Sequence, residues 1–136
     1  MTETERVAQG LIECTLPKAD WTHQAHLRAG LWHVHAHGGE QALVLLRERI
    51  SRYNESVGTA NTDSSGYHET LTRFYVLVIE GFLAGTDRTQ PVDRLADRLI
   101  AARGDRQLPL QHYSKNRLFS IEARRNWVEP DLKAIG

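Results

Sequence analysis

Cysteine is nearly absent from this chain: Cys14 stands alone among 136 residues. No intrachain disulfide can form, and the paired cysteines of a zinc ribbon or a redox CxxC site are excluded. A lone cysteine fits a reducing compartment, so a cytoplasmic protein is expected. Net charge is missing too. Lysine plus arginine and aspartate plus glutamate both number 17, which leaves no overall field to gather nucleic acid or an anionic membrane. The longest apolar run, FYVLVIEGFLA from Phe74 to Ala84, is interrupted by Glu80 and falls short of the ~20 residues a bilayer requires. The opening MTETERVAQG is acidic and has no apolar stretch, so no secretory signal is expected. Repeats and low-complexity tracts are lacking, and the length suits a single domain, 1–136.

Helical periodicity dominates what is present. A first helix is expected over about residues 3–15, stopping before Pro17. Asp20 is a good N-cap for a second, which should run to the Gly38-Gly39 break. A third begins near Glu40 and carries a stripe of Leu43, Leu46, Ile50, Tyr53 and Val57, with Gly58 as its end. A fourth, capped by Ser64 or Ser65, has the stripe Tyr67, Leu71, Phe74, Tyr75, Val78, Ile79 and Phe82, and should be the most buried. Pro91 opens a fifth and Gly104 closes it. Beyond Pro109, short helical turns should be capped by Ser114 and Ser120. No strand alternation persists. The expected fold is an all-α, single-domain bundle of four to five helices with an irregular C-terminal segment.

The second helix carries the unusual chemistry. DWTHQAHL puts two histidines one turn apart, and five of the seven histidines fall between His23 and His37. At about 100° per residue, Thr22, His23, His26, Gly30, His33 and His37 share one sector that contains no lysine, arginine, aspartate or glutamate. Solvated stripes ordinarily carry long charged side chains, so this one suits a polar crevice. His23 and His26 are close enough to share an ion, whereas His33 lies about 10 Å further along the helix. The expected third ligand is His68, in GYHETLT, whose HETLT resembles the HExxH of zinc peptidases with Thr72 in place of the second histidine. His23, His26 and His68 would then form an open mononuclear His₃ site for a divalent transition metal such as zinc, copper, nickel or iron. Glu69, Thr72 and Tyr75 are the candidate catalytic residues, to move protons or orient a small polar substrate. Glu69 has a competing role as a solvated i,i+4 ion pair with Arg73.

Two other stretches bear on function. The loop TANTDSSG has no GK[ST] and reads as a capped connection that could lie as a lid over a site. In the tail YSKNRLFSIEARRNWVEPDL, Arg117, Arg124, Arg125 and Trp127 are interleaved with Glu122, Glu129 and Asp131. Nucleic acid is therefore not the expected partner. Arg117 or Arg124 could instead clamp a carboxylate in the crevice.

DWTHQAHL, NTDSSGYHETLTRFY and YSKNRLFSIEARRNWVEPDL, in this order, resemble a family of small bacterial proteins of uncharacterised activity. Ile121 departs from that pattern, in which proline follows the serine. The histidine arrangement is more loosely similar to metal-binding helical bundles of the DinB type, which implies ligands gathered from different helices. The leading expectation is a small metal-binding protein, with hydrolase or lyase chemistry as the form an activity would take. The alternative is a non-catalytic helical interaction module, dimeric and metal-free. A third reading is a metal-free ligand pocket that uses histidine for acid–base work.

Overall fold

The computed structural model describes all residues, Met1–Gly136, and is entirely helical. Its helices are α1 (Glu3–Glu13), α2 (His23–His37), α3 (Gly39–Ser56), α4 (Glu69–Ala84), α5 (Val92–Arg103), α6 (Lys115–Leu118) and α7 (Ile121–Arg125). Single 3₁₀ turns occupy Lys18–Asp20 and Leu108–Gln111. No helix is long and apolar enough to cross a membrane.

Local signals set most boundaries. The Thr2 hydroxyl accepts the Glu5 N–H, and Cys14, at φ 57°, closes α1 in the left-handed region. The chain then doubles back so tightly that a Cβ on Gly10 would sit 2.8 Å from Leu16 Cβ. Asp20 does not cap α2. It lies in the preceding 3₁₀ turn and pairs with Arg6 at 3.1 Å, while Thr22 takes the cap by accepting the Ala25 N–H. Ser64 and Ser65 do not cap α4 either; His68 does, through its ring. Ser114 and Ser120 cap α6 and α7 as expected.

The central helix is α2, which packs against α1, α3, α4 and α5. It also slightly exceeds α4, the helix expected to be the most buried: seven of the fifteen α2 residues are buried, and six of the sixteen in α4. Leu27, Leu31 and Val34 of α2 join Leu11, Leu46, Tyr53, Ile79, Leu95 and Leu99 in the main core. Arg28 of α2 is drawn across to α5. Its guanidinium reaches Asp97 at 2.7 Å and Asp93 at 3.3 Å, and Asp93 also accepts the Thr4 N–H and hydroxyl. On the far face of α4 a second core holds Phe74, Tyr113, Leu118, Ala123 and Val128. The Tyr113 hydroxyl donates to the Val128 carbonyl there at 2.7 Å.

Candidate functional site

Between α2, α3 and α4 lies a cavity of about 460 Å³, within the range of small-molecule sites. Its walls are largely apolar, from Trp21, Leu27, Leu46, Ile50, Val76 and Ile79. Gly30 sets the α2–α4 approach: a Cβ there would meet Ile79 Cδ1 at 2.9 Å. The polar side chains are Thr22, His23, His26, Thr72, Tyr75 and Arg106. The charge-free sector of α2 is thus a cavity wall over its first two turns. Further along, His33 is buried between the Ala29 carbonyl and the Arg49 guanidinium, and His37 is exposed.

Protonation follows from the partners. The His26 Nδ1–H donates to the Thr22 carbonyl at 2.7 Å, since a carbonyl can only accept, and this leaves Nε2 with its lone pair. Its ring stacks on Trp21 with centroids 3.8 Å apart. Desolvation by the surrounding protein, and after it the charges of His23 and Arg106, hold His26 below the usual imidazole value, against the opposing pull of the Thr22 carbonyl. His23 is also lowered, first by burial and then by Arg106, against the opposing pull of the Gly104 backbone and Asp105. Both rings are neutral at pH 7. Tyr75 meets His23 edge-on at 5.8 Å, and burial pushes its phenol up to about 12. Two buried polar atoms lack any hydrogen-bond partner: His23 Nε2 and the Tyr75 hydroxyl.

The expected third ligand is elsewhere. His68 is buried at the start of α4, where its Nδ1 accepts the Leu71 N–H at 3.1 Å and its Nε2–H donates to the Leu118 carbonyl at 2.7 Å. Both nitrogens are committed, so no lone pair remains for a metal. No group of three or more histidine, cysteine or carboxylate side chains comes together anywhere in the chain. The His23–His26–His68 convergence is therefore corrected: two of the three share the cavity and the third is a structural cap.

Of the candidate catalytic residues, Thr72 and Tyr75 line the cavity and Glu69 does not. The Glu69 carboxylate is gripped by the Arg47 guanidinium at 2.9 and 2.7 Å and accepts the Tyr67 hydroxyl at 2.8 Å. These bonds outweigh burial and keep its pKa low. Its ion pair is with Arg47 across to α3, and Arg73 lies over the Trp127 ring at 4.7 Å. The TANTDSSG loop is no lid. Asp63 pairs with Arg125, and Arg124 donates to the Gly66 carbonyl, fastening the loop to the C-terminal segment. Arg117 donates to the Glu129 carbonyl. Neither arginine expected to clamp a ligand enters the cavity; Arg106 does. It follows the end of α5 in the irregular GDRQ, where no periodicity marks it.

Comparison with known protein families, with curated proteins and with solved structures found no match to this chain.

Proposed function

We propose that this protein binds a small, mainly apolar molecule in the α2–α3–α4 cavity, with His23, His26 and Tyr75 meeting its polar end. One observation carries the reading: the two polar atoms without partners, His23 Nε2 and the Tyr75 hydroxyl, belong to side chains of this one cavity wall. A buried polar group without a partner costs about 1–3 kcal/mol. Both side chains line a site otherwise shaped for apolar surface; the two atoms are closed to water, and a ligand's polar end that turned these rings toward it would satisfy them. The neutral imidazole lone pairs would also accept a proton from the bound molecule, the starting point for acid–base chemistry on it.

The experiment is Tyr75→Phe. Deleting the hydroxyl should raise the melting temperature of the free protein by a few degrees, from about 1 kcal/mol of relieved desolvation. It should also weaken small amphiphiles that quench or shift Trp21 fluorescence. A variant less stable than the parent, binding such probes as tightly, would assign the phenol to structure alone.

A second reading keeps a divalent transition metal on His23 and His26. It draws on the Thr22 carbonyl that takes the His26 Nδ1–H, an orientation that metal-binding imidazoles commonly use. His68 cannot contribute, so Tyr75 or the bound molecule would complete the shell. A melting temperature raised by one divalent ion, and indifferent to it in His26→Ala, would favour this reading.

A further inference from the structure

The ligand pocket just proposed has a charge at its rim, and that charge defines the ligand's chemistry. The chain has fourteen arginines. Eleven hydrogen-bond to protein, through carboxylates, carbonyls, a hydroxyl, an amide or a ring nitrogen. Arg73 lies over Trp127. Only Arg94 and Arg106 make neither kind of contact, and only Arg106 of the two lines the cavity. Its guanidinium lies close enough to act on both His23 and His26. A cation without a protein partner and a phenol whose hydroxyl has none line the same cavity, and the component that would accept from both is an anion.

Resting on the pocket reading, we infer that the ligand is a monocarboxylate with an apolar alkyl or aryl body, its carboxylate on Arg106 and the Tyr75 hydroxyl and its body against Leu46, Ile50 and Ile79. A single cation matches a single negative charge. Asp105 adjoins Arg106 and its charge reaches His23 and Tyr75, but its carboxylate accepts the Gln107 N–H and lines a different hollow, bounded by α4 and the C-terminal residues, not the cavity. It does not occupy the place of the ligand's charge. The apolar walls leave no donors for a second charge deeper in the cavity.

Calorimetric titration of the full chain with octanoate and with octanamide tests the inference, with amide shifts of Gly30 and Thr72 locating the bound probe. Octanoate should bind in the cavity at least about tenfold more tightly than octanamide, the usual worth of a charged hydrogen bond. Arg106→Gln, at an exposed position, should remove that advantage and bring octanoate to the affinity of octanamide or below it. Equal binding of acid and amide, or an advantage that survives Arg106→Gln, overturns the carboxylate assignment and leaves the pocket standing. If neither probe moves Gly30 or Thr72 while Tyr75→Phe is destabilising, the pocket itself falls, and this inference with it.

Discussion

The N-terminal half of α4, with its cap His68, has two sides that treat their polar atoms in opposite ways. Toward the C-terminal segment, His68 uses both nitrogens, and Thr70 donates to the Asn126 carbonyl and receives the Val128 N–H. Toward α2, the Tyr75 hydroxyl and His23 Nε2 have nothing. Both sides are built from histidine, a hydroxyl and apolar packing, so composition does not separate them. The difference lies in whether backbone carbonyls arrive to meet the side chains. Matched groups hold a fold together, while unmatched ones hold it at a cost that only a binding partner removes.

That contrast is open to attack by mutation, and His68→Ala should have the largest effect. It leaves the Leu71 N–H and the Leu118 carbonyl without their partners at a buried position, and a loss of about 2–4 kcal/mol is expected. Guanidinium unfolding measures it; a midpoint close to the parent's would erase the distinction between the two sides. Acid comes next. His23, His26, His33 and His68 are all held below the usual 6.5, with His33 down to about 4. The unfolded chain therefore takes up protons more readily. Stability is fully present above about pH 6.5 and falls as the pH drops toward the depressed folded-state values. At about 1.4 kcal/mol per pH unit, the fully buried His33 alone loses on the order of 3 kcal/mol by pH 4. The carboxylates with lowered values, such as Asp93 and Glu69, begin to contribute only at lower pH. Urea midpoints that stay level from pH 7 to pH 5 would contradict the burial of His33 and His68. The Tyr75→Phe change has the opposite sign and a smaller size. Gly30→Ala should be smallest: a helix gains about 1 kcal/mol from alanine, offset by pushing Ile79 Cδ1 aside. Its melting temperature should barely move, while probe affinity drops because the displaced methyl enters the cavity.

Much of the architecture could be read from local signals. The serines at 114 and 120 and the glycine at 104 each act within a few residues, and each is found where expected. The uncharged sector of α2 was legible for the same reason, since helical angle alone determines which residues share a face. The fate of His68 was not. It depends on the carbonyl of Leu118, fifty residues away in sequence, and no spacing rule reaches that far. Asp20 failed as a cap because Arg6 claims its carboxylate from the preceding helix. Arg106 was missed because an exposed residue after a helix end carries no periodic mark; only its lack of a partner in three dimensions singles it out.

The Thr72 hydroxyl donates to the His68 carbonyl within the same turn that Leu118 anchors. A single turn of helix is therefore a shared girder, with the tail's fastening on one flank and the chamber's lining on the other. A pull on the tail at Leu118 should therefore reach Thr72 through two hydrogen bonds, so that loosening the tail would be expected to alter the chamber's lining.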